Sequence, residues 1–223
     1  MTQKTMIMIA CAIQLGTALL AYQYLVHRVE GKCQIKEFFR PRFEKFPLAV
    51  VLAAFLAAVY IFVSGIQHNG DSFMRALMNA EVMIWLSLLG YIDARERIIP
   101  NGLIGVGLLL WIILAMLDIF LGGTPWVRLL VFSGIGGLVC GGVLMVIALI
   151  MKSGLGMGDV KMFFVLGLLY GLTDTYGIFL FTIIPMGLFC IVLLILKRAE
   201  KKTTIPMAPF AVIGFILSIL AGM

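Results

Sequence analysis

The stretch GMGDVKMFFVLGLLYGL, from Gly156 to Leu172, sets one acidic residue at the start of a long apolar run. Its polar beginning, Gly156 to Lys161, contains Asp159, and a second apolar run precedes it. An ionisable side chain at the edge of a membrane segment is costly, so it is by default a candidate for a functional site. The first question is therefore which group Asp159 is paired with.

The composition restricts the chain to one class of fold. It has 223 residues, of which 62% are hydrophobic and 13% charged. Several apolar runs approach or exceed the roughly 20 residues that a helix needs to cross a bilayer. We therefore predict an all-α fold, a polytopic transmembrane helical bundle. The four cysteines are scattered without a C-x-x-C pair, so they predict neither a disulfide framework nor a zinc site.

Turn-forming and charged residues divide the apolar sequence into about eight predicted spans, the sixth of them short. They cover approximately 6–26, 47–66, 73–92, 101–121, 126–151, 159–172, 176–196 and 205–221. The fifth span is rich in glycine, and Gly137 and Gly141 stand in the G-x-x-x-G relation that lets helix backbones approach closely. We divide the chain into an N-terminal two-helix part, 1–72, with a reduced basic loop, and a core, 73–223.

The distribution of basic residues predicts the orientation of these spans. The first, third, fifth and seventh loops carry fourteen of the seventeen Lys and Arg residues. Because loops rich in Lys and Arg face the cytoplasm, both termini are predicted on the non-cytoplasmic side. The same rule accounts for the formal charge of +6 without nucleic acid as a partner. Asp93, in the third loop, and Asp159, in the fifth, are then predicted at the same cytoplasmic face.

Two aspartates at one membrane face favour acid–base chemistry. Carboxylates that share a site cannot both ionise easily, so the pair holds a single proton. The ionised partner can take a proton from water while the neutral partner donates one to a carbonyl oxygen, as in aspartic proteases. Such a site needs neither a metal nor another cofactor. Gly156 and Gly158 lack Cβ atoms and would let an extended substrate peptide approach the backbone.

Less specialised interpretations of these acids stay open. Asp159 could be the N-cap of the sixth helix, and Asp93 could form an ion pair with Arg95 or Arg97. Glu81, deeper in the third span, is predicted to bond to a neighbouring helix. No G-x-S-x-G, H-E-x-x-H or P-loop pattern is present. The sequence therefore argues against a serine hydrolase, a zinc protease and a nucleotide-driven transporter.

Three motifs, in order along the chain, resemble those of the bacterial type IV prepilin peptidases, the G-x-G-D class of membrane aspartic endopeptidases. The stretch Gly156 to Lys161 looks like the second active-site motif of that family. Asp93, followed by Ile99-Pro100-Asn101, looks like the first. The segment Ile205 to Phe210 is similar to the motif of the final helix. Together the three motifs cover the chain from about Glu81 to its end.

The resemblance implies an endopeptidase that removes the basic leader of type IV pilin-like precursors at the cytoplasmic face of the cell inner membrane. Asp93 and Asp159 carry over as the catalytic pair. The residues that carry over from the motifs, with predicted substrate contact, are Gly156, Gly158, Lys161, Pro100, Asn101, Pro206 and Pro209. The implied partners are prepilin or pseudopilin precursors and membrane lipid.

The N-terminal third departs from the larger members of that family, which have two C-x-x-C pairs and also N-methylate the trimmed pilin. Here the segment 24–46 contains one cysteine, Cys33, so methyl transfer is not expected. Two other functions stay open. A presenilin-like intramembrane protease would have an adjacent Tyr-Asp pair, whereas Ile92 separates Tyr91 from Asp93. A small proton-coupled transporter would use the two aspartates as a relay.

Overall fold

The computed structural model describes residues 3–29, 45–122, 125–150, 156–196 and 205–222. Most of the predicted basic loop at 27–46, including Cys33, lies outside these residues, as do the basic residues of 197–204. The chain divides into two compact units, Met1–Tyr91 and Ile92–Met223. The division at residue 72, which rests on the motifs, stays a prediction.

Every regular element in the described part of the chain is helical, which confirms the all-α prediction. The α-helices are α1 (Gln3–Val29), α2 (Lys45–Ser64), α3 (Phe73–Glu96), α4 (Asn101–Leu117), α5 (Trp126–Ile150), α6 (Met157–Ile195) and α7 (Ala208–Leu220). Short π-helical turns continue α2 and α4, at Gly65–Asn69 and Asp118–Gly122.

Six of the described helices, α1 to α6, are long and apolar enough to cross a membrane. Large apolar side chains project outward from α4 and α5, and Leu109 and Leu138 are 55% and 70% exposed. Exposed apolar surface of this kind is favourable in contact with lipid and unfavourable in contact with water. The chain is therefore a multi-pass membrane protein. The number of eight spans and the orientation of the termini stay predictions.

The helix α6 is not one straight span, because Gly171 interrupts it. Gly171 has φ 69° and ψ −169°, a conformation outside the helical region that glycine adopts without strain. The Phe163 and Phe179 rings lie 5.2 Å apart, although they are 16 positions apart in sequence. The hydroxyl of Thr175 donates a hydrogen bond to the carbonyl of Leu166 at 3.1 Å. The chain therefore reverses at Gly171, and two antiparallel arms, 157–170 and 172–195, replace a single helix.

These arms correspond to the predicted short sixth run and the seventh run. The first arm has 14 residues and is about 21 Å long at 1.5 Å per residue. That is shorter than the roughly 30 Å hydrocarbon core of a bilayer. The helix end at Gly171 therefore lies close to apolar surroundings, where a free carbonyl is costly. The bond from Thr175 satisfies one of these carbonyls.

Glycine allows α5 to pack closely against the first arm of α6. A Cβ atom on Gly136 would overlap the backbone of Gly167 and of Gly171. Gly137 and Gly141, the predicted G-x-x-x-G pair, face side chains of the same arm, which confirms their packing role. The remaining glycines of this stretch, Gly134 and Gly142, have no described atom within 4 Å of the position that a Cβ would occupy.

The unit Met1–Tyr91 contains the buried acid of the third predicted span. Glu81 is 5% exposed, and its side chain is hydrogen bonded to Thr17 of α1. This contact confirms the predicted bond to a neighbouring helix. Gln14, one turn before Thr17, is fully buried, and within the described residues its side-chain amide has no hydrogen-bond partner.

Candidate active site

Asp93 lies in the last turn of α3 and is 5% exposed. Its Oδ2 atom accepts a hydrogen bond from the backbone N–H of Ala208 at 3.0 Å, and the carboxylate also accepts one from Met207. Met207 is the N-cap residue of α7, and Ala208 is its first residue. The first N–H groups of a helix have no partner within the helix and carry its positive partial charge. The beginning of α7 therefore fixes the Asp93 carboxylate in position.

Asp159 is the third residue of α6, which begins after the N-cap residue Gly156. Its carboxylate accepts a hydrogen bond from the backbone N–H of Gly156. This is one half of a capping box, in which the third residue of a helix bonds back to the N-cap. The prediction that Asp159 could itself be the N-cap is therefore wrong in position, although the side chain does take part in capping.

Asp93 and Asp159, the two aspartates that the sequence singles out, influence each other electrostatically in the structure. Asp93 and Asp159 lie close enough for their carboxylate charges to interact directly. They come from the end of α3 and the beginning of α6, which therefore meet at one end of the bundle. Each carboxylate is also held by backbone N–H groups. Two carboxylates whose charges interact in this way are of the type that acid–base chemistry uses.

Each of the two motif glycines has its own structural reason to lack a side chain. A Cβ atom on Gly156 would lie 3.0 Å from Oδ2 of Asp159, so the missing side chain makes room for the carboxylate. A Cβ atom on Gly158 would lie 2.7 Å from Cβ of Ile99. In the structure, the space beside Gly158 is therefore occupied by Ile99 of the same chain. A further contact of these glycines with a substrate peptide stays a prediction.

A hydrogen bond joins the two remaining polar motif residues. The Nζ of Lys161 donates to Oδ1 of Asn101 at 2.8 Å. Asn101 is the first residue of α4, directly after the N-cap residue Pro100. The bond therefore links the first turn of α4 to the beginning of α6, beside the contact between Ile99 and Gly158. The predicted substrate contacts of Pro100, Asn101 and Lys161 stay predictions.

The third motif reaches the site through its backbone. Pro206 and Pro209 flank the two residues whose N–H groups bond to Asp93. Sequence reasoning named the prolines and missed Met207 and Ala208. The only available signal was the position of these two residues at a helix start between prolines. The groups that bond to Asp93 are backbone N–H groups, which every residue except proline has, so the residue type does not reveal them. The described residues contain no group of three or more His, Cys, Asp or Glu side chains that could hold a metal ion.

Comparison with known proteins supports the resemblance drawn from the motifs. Residues 81–191 match the Type IV leader peptidase family. A curated protein of Bacillus subtilis (strain 168), "Prepilin leader peptidase/N-methyltransferase", is 33% identical over 92 residues. That alignment covers 41% of this chain and 37% of the Bacillus protein, so the chain matches well under half of its relative. No solved structure matches. The matched family segment begins before Asp93 and includes Asp159.

Proposed function

We propose that this chain is a membrane endopeptidase that removes the leader of type IV prepilin-like precursors, and that Asp93 and Asp159 carry out the cleavage. The observation that carries the proposal is the electrostatic interaction between the two carboxylates, which come from the end of α3 and the beginning of α6. The family match over residues 81–191 and the similarity to the Bacillus leader peptidase support the substrate class.

The geometry favours a mechanism in which the two aspartates share one proton. The ionised carboxylate takes a proton from a water molecule, and the water oxygen attacks the carbonyl carbon of the scissile peptide bond. The neutral carboxyl donates its proton to the carbonyl oxygen. Collapse of the tetrahedral intermediate then breaks the C–N bond, and the amine leaves with a proton from the pair. The proton assignment belongs to the pair and not to either residue.

The backbone bonds to the two carboxylates suit this chemistry. Met207 and Ala208 hold Asp93, and Gly156 holds Asp159, so neither carboxylate needs a second side chain for its orientation. A preorganised pair of this kind avoids a reorganisation cost during the reaction. We place the site at the cytoplasmic face of the inner membrane, because basic residues concentrate in the loops on that side of the predicted bundle.

The experiment is co-expression of the protein with a prepilin, with leader removal followed by a gel shift. We expect cleavage by the wild type and its loss in Asp93→Asn and in Asp159→Asn. Asp118→Asn is the matched control, because Asp118 lies at the opposite end of α4 from the candidate site. Normal cleavage by either site variant would show that the paired mechanism is wrong. Absence of cleavage by the wild type would contradict the peptidase and favour the transporter.

A further inference from the structure

The helix α7, whose start holds Asp93, is too short to fix its own position across a membrane. It has 13 residues and is about 20 Å long at 1.5 Å per residue. The hydrocarbon core of a bilayer is roughly 30 Å thick, and α7 is not among the six described helices that are long enough to cross it. The apolar length of α7 therefore does not determine its height in the membrane, and contacts with a neighbouring helix must do so.

The neighbour that α7 packs against is α6. Ring contacts join α7 to both arms of that helix. The rings of Phe210 and Phe189, in the second arm, are 5.4 Å apart, and those of Phe215 and Tyr170, at the end of the first arm, are 5.8 Å apart. The buried residues of α7 recur every three or four positions and form one stripe, which consists of Ala208, Ala211, Gly214, Phe215 and Ser218.

The closest approach of the two helices is at Gly214. A Cβ atom on Gly214 would overlap Oγ1 of Thr182, and it would lie 2.7 Å from the backbone nitrogen of Thr182 and 2.9 Å from the carbonyl oxygen of Ile178. The Thr182 hydroxyl is fully buried and is held in place, because it donates a hydrogen bond to the carbonyl of Ile178 at 2.7 Å. A side chain at position 214 can therefore be accommodated only if α7 moves relative to the second arm.

Movement at Gly214 is transmitted to Asp93 by α7 itself. Gly214 is six residues after Ala208, which corresponds to about 9 Å along one short helix. The N–H of Ala208 donates to Oδ2 of Asp93 at 3.0 Å. A shift of about 1 Å away from Asp93 lengthens such a bond beyond hydrogen-bonding distance. The position of α7 at Gly214 therefore decides whether its first N–H groups reach the carboxylate.

The same packing relates Asp93 to Asp159, because α6 carries Asp159 at the start of its first arm. The two arms of α6 are joined by the bond from Thr175 to Leu166 and by a phenylalanine ring contact. A helix that is fixed on the second arm is therefore also fixed relative to the first. The start of α7 in turn holds the Asp93 carboxylate relative to Asp159.

We propose that Gly214 is a positioning residue: its contact with α6 sets the height of α7 and thereby the place at which the start of α7 holds Asp93. The inference rests on the proposed function, which gives Asp93 its part in cleavage, and it adds a residue that acts on the site through Met207 and Ala208. A glycine that served only for packing would stabilise the fold without any link to Asp93. Two tests separate these roles.

The first test is kinetic and uses the purified protein in detergent with a full-length prepilin. We expect Gly214→Ala to lower kcat per folded enzyme by about tenfold or more and to leave KM within about twofold, because a displaced carboxylate impairs the reaction and not substrate binding. Gly187→Ala is the matched control, since Gly187 lies on the second arm of α6 and no described atom lies within 4 Å of its Cβ position. That control should cleave within about twofold of the wild type.

The second test needs no substrate and measures the coupling between Gly214 and Asp93. Thermal unfolding is compared for Gly214→Ala, Asp93→Ala and the double variant. If displacement of α7 is costly partly because it breaks the bonds to Asp93, that part of the loss disappears once the carboxylate is removed. We therefore expect the Tm of the double variant to lie about 2 °C or more above the value that additive losses would give. The combination of Gly187→Ala with Asp93→Ala should be additive.

A milder variant covers the case in which Gly214→Ala does not fold. Thr182→Val places a methyl group where Oγ1 lies against Gly214, so α7 needs a smaller shift. We expect it to lower kcat roughly threefold with unchanged KM, and it then replaces Gly214→Ala in both tests.

The outcomes separate this inference from the proposed function. A wild type that does not cleave prepilin contradicts the proposed function, while the Tm comparison still decides whether Gly214 positions Asp93. If the wild type cleaves and folded Gly214→Ala, or Thr182→Val in its place, has the kcat of the wild type, the positioning role is overturned alone. Additive Tm losses for Gly214→Ala and Asp93→Ala would overturn it as well.

Discussion

Asp93 has two physical roles that can be separated by substitution. Its carboxylate provides a charge beside Asp159, and it also accepts hydrogen bonds from Met207 and Ala208 at the start of α7. Met207, as the N-cap residue, makes no side-chain capping bond of its own. Asp93 is therefore a capping group for α7 that comes from a distant part of the chain. Its amide analogue keeps one acceptor oxygen for the start of α7, loses the charge and has an NH2 group in place of the second oxygen.

We predict that Asp93→Asn abolishes cleavage with little loss of stability, whereas Asp93→Ala loses both. Removal of a helix-capping acceptor costs about 1 kcal/mol, which corresponds to roughly 2–4 °C in Tm for a chain of this size. The measurement is thermal unfolding in detergent alongside leader removal, with Asp118→Ala as the control. Equal Tm values for Asp93→Asn and Asp93→Ala would show that the contact with α7 does not stabilise the fold.

Gly158 tests whether a motif glycine acts through packing. We predict that Gly158→Ala lowers stability by about 1–3 kcal/mol, because the added Cβ would lie 2.7 Å from Cβ of Ile99 and the turn before α4 must shift. Gly177→Ala is the matched control on the same helix α6, since open space surrounds its Cβ position. That control should be neutral or slightly stabilising. If Gly158→Ala is as stable as Gly177→Ala, the close contact with Ile99 is not what requires glycine.

At the scale of the helices, the site depends on the register between the beginnings of α4 and α6. The bond from Lys161 to Asn101 and the contact of Ile99 with Gly158 both connect these two helix starts. The turn before α4 follows directly from the end of α3, which carries Asp93. Holding the start of α4 against α6 therefore also restrains the separation of Asp93 and Asp159.

A double-mutant cycle measures that restraint. We predict that Asn101→Ala and Lys161→Ala each lower kcat/KM, and that the double variant is little worse than either single one. Contacting residues typically show coupling free energies of 0.5–3 kcal/mol, and this exposed pair should fall near the lower end, about 0.5–1 kcal/mol. Asn101→Asp keeps an acceptor for Lys161 and should retain most activity. Additive losses in the double variant would show that the two residues act independently.

The sequence predicts the helices of this fold better than their ends. Apolar length is enough to predict the long helices α1 to α5, and the pattern of basic loops predicts that Asp93 and Asp159 lie at one face. The reversal at Gly171 could be expected as a break between two apolar runs, but its position depends on a backbone conformation and on the bond from Thr175 to Leu166. Such contacts depend on the packed structure and not on local residue pattern.

The residues that hold Asp93 show a second limit of prediction from the sequence. The segment from Pro206 to Pro209 could be identified as a motif, yet the groups that contact Asp93 are N–H groups of Met207 and Ala208. Almost any residue other than proline provides that donor. The sequence therefore indicates that the segment matters without indicating which atoms reach the site. The open space beside Gly142 could not be predicted from the sequence either, because it depends on how the neighbouring helices pack.

At the scale of the whole molecule, the described parts of the candidate site belong to one compact unit. Asp93, Asp159 and the start of α7 all lie within Ile92–Met223. The unit Met1–Tyr91 has its own buried polar contact between Glu81 and Thr17. The proposed cleavage therefore uses contacts within the second unit, while the side of the membrane on which it would take place depends on the basic loops of the entire chain.

The orientation of the whole chain gives the last prediction. We expect Ile98→Cys, in the exposed turn before α4, to react with a membrane-impermeant maleimide only from the cytoplasmic side. Trp126→Cys, exposed at the start of α5 at the opposite end of the bundle, should react only from the outside. Both are made in a chain without native cysteines and are compared in intact cells and inverted membrane vesicles. Labelling after detergent treatment controls for reactivity. The reverse pattern would place Asp93 and Asp159 on the outer face, where a leader that stays in the cytoplasm could not reach them.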